Sequence, residues 1–291
     1  MTPQLPRITR LTSHMIWATV LGLTLGARAT EPAKPALADD GKTPETIATV
    51  PVKKIDPPEK DFFAKQLDYR GLPIKGAAVV ADAAFYEAWR RVHHLLEKNP
   101  VILANMLAAG SEVQIIGKDQ GQTDLPDFLR EKGVPLRENP AITLDERARG
   151  MGGLHCSCGE ENLLKLPNDG YRGRDILSHE FTHTIHDYGV SQNIKDLIEK
   201  TYRSARAKKL WEMPGGKPIY GGSNVHEYLA EIALWVVGGH GDWPSSMGPM
   251  KSGPEFIKKY DPEGYQLVDD LFNGRLDVQP VTPRPHRRPS K

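Results

Sequence analysis

Phe85, Trp89, Val92, Leu95 and Leu96 fall on one helical face, which predicts a helix over residues 81–99 closed by Asn99-Pro100. A second short helix is expected over 101–109, stopped by Gly110. The period then changes. Glu112-Val113-Gln114-Ile115-Ile116 is compact, apolar and β-branched between Gly110 and Gly117, and it reads as a strand. Residues 141–150 are expected to supply another strand, followed by a glycine-rich loop through Gly159. Helical spacing returns over 174–188 before Gly189, 193–210, 226–237 before Gly238-Gly239, and 262–272 before Asn273-Gly274. Strands followed by helices in one chain predict an α+β domain.

The ends lack this periodicity. Arg7 and Arg10 precede a short apolar run at 15–25, and Ala27-Arg28-Ala29 has the small-x-small form of a signal-peptidase site. The run is about half of the roughly 20 residues needed to cross a bilayer. Residues 1–29 are therefore expected to be a cleaved export signal, leaving a secreted or periplasmic protein with no stable membrane insertion. Residues 30–58, rich in Ala, Pro, Lys, Asp and Thr, read as a disordered linker. The folded domain is expected over 59–277, and 278–291 as a basic, Pro-rich disordered tail carrying Arg284, Arg287, Arg288 and Lys291.

Composition adds exclusions. Lys plus Arg (38) nearly balance Asp plus Glu (37), so the charge gives no reason to expect a nucleic-acid partner. The two cysteines, Cys156 and Cys158, lie too close for the usual structural zinc spacing. They read either as a redox pair or as two small residues in a turn.

The chemistry concentrates in His179-Glu180-Phe181-Thr182-His183. Two residues four apart on a helix lie about 40° apart around its axis and one turn apart along it, so both imidazoles can chelate one ion. Glu180, beside that pair, is placed to take a proton from metal-bound water. The same residues on a solvated face, or as hydrogen-bonded core histidines, would carry no such chemistry. A third ligand separates these readings. Downstream, Glu227 and Glu231 share a face of a second helix that can bring a carboxylate over the first, giving two histidines, one glutamate and an open position.

The stretch 178–189, followed by Tyr220-Gly221-x-x-Asn224-x-x-Glu227-Tyr228-x-Ala230-Glu231, resembles the catalytic domain of the anthrax lethal factor family of gluzincin metallopeptidases. It is similar also to secreted zincin-like proteins that carry Gly-Glu-Glu-Asn-Leu-Leu upstream, here at 159–164. The motif-bearing resemblance covers about residues 145–240, and more loosely 60–275. It implies a zincin-like α+β fold, with a small β-sheet packed on the metal helix and a mainly helical C-terminal half. It implies one zinc ion held by His179, His183 and Glu227, with Glu180 as general base and Tyr220 supporting the transition state. Glu231 is expected behind a ligand histidine, orienting it through the other ring nitrogen. His186 is expected in a supporting or substrate-contacting role. His155, His226 and His240 are expected to serve the surface or core.

These readings converge on an exported zinc metallopeptidase acting on a peptide or protein, its substrate lying along a strand edge at 141–150 or 112–116. A non-catalytic zinc module holding an extracellular or cell-wall partner is the alternative. A hydrolase of non-peptide amides would use the same residues.

Overall fold

The computed structural model describes residues 50–241 and 253–282; the expected export signal, most of the expected linker and most of the basic tail lie outside them. The described residues form a mixed α/β fold around a six-stranded sheet. Its strands are β1 (Lys53–Glu59), β2 (Phe63–Tyr69), β3 (Leu72–Gly76), β4 (Glu112–Ile116), β5 (Gly150–Met151) and β6 (His155–Gly159), in the order β1-β2-β3-β4-β6-β5. β1, β2 and β3 are joined antiparallel, β3, β4 and β6 run parallel, and β5 closes the edge antiparallel to β6.

Alternation along the central strands decides which side carries the core. Val113 and Ile115 of β4 and Cys156 and Cys158 of β6 enter the main apolar cluster with Trp89, Leu177 and Phe181. Glu112, Gln114 and Ser157 occupy the intervening positions, where Gln114 is bonded to Glu112 and Gln122 to Ser157. The helices on the apolar side include α1 (Asp82–Leu96), α2 (Pro100–Ala109) and α5 (Ile176–Thr184). Two short helical turns, α3 (Leu144–Arg147) and α4 (Glu160–Leu163), flank the β5–β6 edge. The rest is α6 (Gln192–Ala207), α7 (Val225–Val236), α8 (Pro254–Tyr260) and α9 (Pro262–Phe272), so the later half is mainly helical. No helix among the described residues is long and apolar enough to cross a membrane.

Four expectations change. The sheet begins inside the expected linker, because 53–59 pairs with β2 through its backbone while most of its side chains stay exposed; such a strand leaves no apolar period to read. Residues 141–150 are not a strand. Thr143 and Glu146 form a reciprocal cap that starts α3, and only Gly150–Met151 reaches the sheet. The stretch 112–116 is a strand but not an edge, since β3 and β6 flank it. Cys156 and Cys158 lie in a strand rather than a turn, unbridged and buried with both side chains on the core face, where burial pushes both thiols upward. Neither has the exposure or the lowered pKa of a redox cysteine.

The residues before α5 fix that helix to the core. Asp175 caps it, accepting from Ser178 N at 2.9 Å and Ser178 Oγ at 2.5 Å, and also receives Arg91 Nη1 of α1 at 2.6 Å. Both charges are buried. Removing one member of such a pair strands the other, at a cost of about 3–5 kcal/mol. Asp175→Ala should lose stability of that order by denaturant unfolding. Combined with Arg91→Met, it should lose less than the sum of the two single changes.

Candidate metal centre

The metal-ligand types meet where α5 crosses α7. His179 and His183 project from one side of α5, their Nε2 atoms 3.2 Å apart. Glu227 comes from the first turn of α7. Asn224 fixes that turn by accepting from the backbone nitrogens of His226 and Glu227 at 3.0 Å each. Glu227 Oε2 stands 3.2 Å from His179 Nε2 and 3.6 Å from His183 Nε2. This oxygen is buried, and no donor meets it in hydrogen-bonding geometry.

Three ligands at 2.0–2.1 Å from one ion, at tetrahedral angles, stand about 3.3–3.4 Å apart. The separations of 3.2, 3.2 and 3.6 Å form such a triangle. A buried acceptor oxygen that faces two ring nitrogens with no donor in hydrogen-bonding geometry suits a cation held among the three. His179, His183 and Glu227 therefore fit a zinc ion. Glu180 also has a carboxylate oxygen within 4.8 Å of both histidines. It adjoins His179 on the same helix, and its side chain lines the open cavity.

Behind the triangle, Glu231 Oε1 lies 3.2 Å from His179 Nδ1, and Arg174 closes the line with a buried ion pair to Glu231. Burial alone would raise the Glu231 carboxyl, but Arg174 and His179 hold it down at about 2. Burial would likewise lower His179, yet Glu227 and Glu231 lift it to about 10. Glu227 is held well below the usual carboxylate range despite burial, because both histidines face it.

Tyr220 stacks on the His179 ring at 6.0 Å between centroids. Burial first, and then the neighbouring Glu227 and Glu180 carboxylates, raise its phenol far above normal, so it stays a proton donor.

A cavity of about 730 Å³ opens over this group, lined by His179, Glu180, His183, Tyr220 and Glu227 and bounded by the β5 edge. That edge lies directly on the metal helix. A Cβ at Gly150 would come within 2.5 Å of Ile176 Cγ2, and one at Gly152 within 2.8 Å of His183 Cβ. Only glycine permits so close an approach.

The segment 159–164 ties these parts together. Asn162 accepts from Ile176 N at 3.0 Å and donates to Arg174 O at 2.7 Å, fastening the start of α5. Glu161 receives Arg149 in two bonds of 2.7 and 2.8 Å beside β5. Glu160 accepts from Ala81 N and Lys118 N.

The remaining histidines divide. His155 pairs with Asp127 at 2.5 Å, and its strand neighbour across the sheet is Glu112, away from the metal helix. His240 is buried and stacked on Trp235. Both serve the surface or core, as expected. His226 does not: it lines the cavity, its ring centroid 6.5 Å from that of His183. His186 is not directed at the triangle. Past Thr184 the helix widens into a five-residue turn, Ile185–Gly189, and His186 meets Asp187 at 3.3 Å and the His226 ring at 4.4 Å. Spacing gave no sign of Arg174 or Asp187, which meet Glu231 and His226 of α7. The place of His226, one residue before Glu227 at a helix start, was the available signal for it.

No protein-family model matches the chain, and no curated protein matches it. The anthrax lethal factor family therefore remains a resemblance of motifs. Among solved structures, the chain is similar to the Pro-Pro endopeptidase (PPEP-2) from Paenibacillus alvei, a match covering 64% of this chain and 90% of that one. The identity is 18% and the TM-score 0.43, a likeness too slight to carry an argument about chemistry.

Groups that orient a metal-bound histidine commonly contribute 10–100-fold in affinity. Glu231→Gln should weaken zinc binding by about that factor in chelator competition, and His183→Ala should abolish tight binding.

Proposed function

We propose that this chain is a zinc-dependent metallohydrolase of zincin type that cleaves amide bonds, and that it acts as a peptidase. The observation that carries the proposal is the triangle of His179, His183 and Glu227, with one side facing the cavity and Glu180 beside it. His179, His183 and Glu227 hold the ion in this reading, and Glu231 and Arg174 keep the His179 ring in register.

Zinc, when bound, supplies a Lewis acid that polarises a carbonyl and lowers the pKa of water from 15.7 to about 7. The chain's own groups do the rest. Glu180 accepts the proton of the attacking water and returns it to the leaving amine. Tyr220, kept protonated, donates to the oxygen on which negative charge develops. The β5 edge offers backbone groups against which an extended peptide aligns, a geometry that favours a peptide over a compact amide. Export belongs to the same proposal and rests on Arg7, Arg10, the apolar run at 15–25 and Ala27-Arg28-Ala29.

Loss of a positioned proton carrier costs about 10²–10⁴ in rate. Glu180→Gln should lose at least a hundredfold of its cleavage of a diverse peptide library, read by mass spectrometry, while metal analysis finds zinc still bound. Undiminished hydrolysis in that variant would remove Glu180 from the mechanism. A zinc-loaded wild type that cleaves no member of the library would favour the binding-module alternative.

A further inference from the structure

A second cluster of metal-ligand types lies at the rim of the same cavity. Among the described residues, two groups of three or more His, Cys, Asp or Glu side chains have ligand atoms within 4.8 Å of one another. One is the group on α5. The other is His186, Asp187 and His226.

Two separations in the second cluster match those of the first, and all of its ligand atoms lie within 4.8 Å of one another. Asp187 Oδ1 lies 3.3 Å from His186 Nδ1 and 3.6 Å from His226 Nδ1. Ligands of one tetrahedral zinc ion stand about 3.3–3.4 Å apart. The two imidazoles meet edge to face with centroids 4.4 Å apart, so neither ring blocks the other. One member is pinned and two are accessible: His186 is buried in the widened turn, while Asp187 and His226 are 40% and 47% exposed. Solvent can therefore complete the coordination of an ion there. Lys195 reaches the Asp187 backbone oxygen at 2.8 Å, and its charge nearby would moderate affinity.

The widened turn makes this arrangement possible. It carries His186 to Asp187 and to His226 at the start of α7, rather than along the line of His179 and His183. Neither group is needed to complete the first triangle. The cluster has no part in the reading given above for Glu180 and Tyr220.

We propose that His186, Asp187 and His226 form a second, weaker site for a borderline divalent cation at the cavity mouth. Two imidazoles and one carboxylate suit zinc, nickel or copper and disfavour calcium and magnesium, which prefer all-oxygen shells. Asp187 and His226 both line the cavity beside Glu227, so an ion at this site adds positive charge at the entrance, 6.5 Å from the His183 ring as measured to the His226 ring. The site stands on its own ligands and does not require that the protein be a hydrolase.

Zinc titration of the full chain, followed by equilibrium dialysis with metal analysis, tests it. The wild type should take up one tight equivalent and a second, weaker one that excess magnesium does not displace. His226→Ala should lose the weaker equivalent and keep the tight one. Asp187→Asn, which preserves shape and hydrogen bonding, should do the same if the alanine variant folds poorly. His179→Ala should show the reverse pattern. Saturation of the wild type at a single equivalent, or a weaker equivalent that survives both Asp187→Asn and His226→Ala, would overturn the assignment.

Discussion

The site depends on one constraint: one carboxylate oxygen from α7, Glu227 Oε2, is held with no donor in hydrogen-bonding geometry against two ring nitrogens from α5. Left alone, an acceptor buried in this way costs free energy. It persists because the surroundings fix both helices independently of it. Arg174 and Asp175 are neighbours in sequence and point their charges in different directions, one to Glu231 on α7 and the other to Arg91 on α1. The two pairs staple the start of α5 to the helices on either side of it, and Asn162 fastens the backbone between them. Buried ion pairs add little net stability over apolar packing, but they tolerate few alternative arrangements. Such rigidity is what a metal site requires of its supporting groups.

The same logic explains where the cavity lies. β5 could not close over α5 if side chains projected from Gly150 and Gly152, so the strand edge and α5 form one wall. Tyr220 and Glu180 line the same cavity as the two histidines and Glu227, and Tyr220 stacks on the His179 ring.

Much of this was legible in the sequence, for identifiable reasons. The strand at 112–116 and the helix at 262–272 were marked by apolar spacing and bounded by glycine or asparagine, and both stand with those limits. His179 and His183 were legible because a four-residue spacing on a helix leaves little freedom. Glu227 was reached through motif position, and the structure brings its oxygen to both rings. What could not be read depended on contacts between distant segments. β1 pairs by backbone alone, with exposed side chains. The Thr143–Glu146 cap starts a helical turn where a strand was expected over 141–150. The rim position of His226 follows from how α7 meets the widened turn after α5, with its place one residue before Glu227 as the local sign.

The central claim is that His179, His183 and Glu227 hold one ion together. Anomalous scattering at the zinc edge, from crystals of the full chain loaded with a single equivalent, tests this most directly. The account predicts one peak bonded to His179 Nε2, His183 Nε2 and Glu227 Oε2, at about 2.0–2.2 Å from each. A peak elsewhere, or one bound to the histidines with the Glu227 carboxylate turned away, would contradict it.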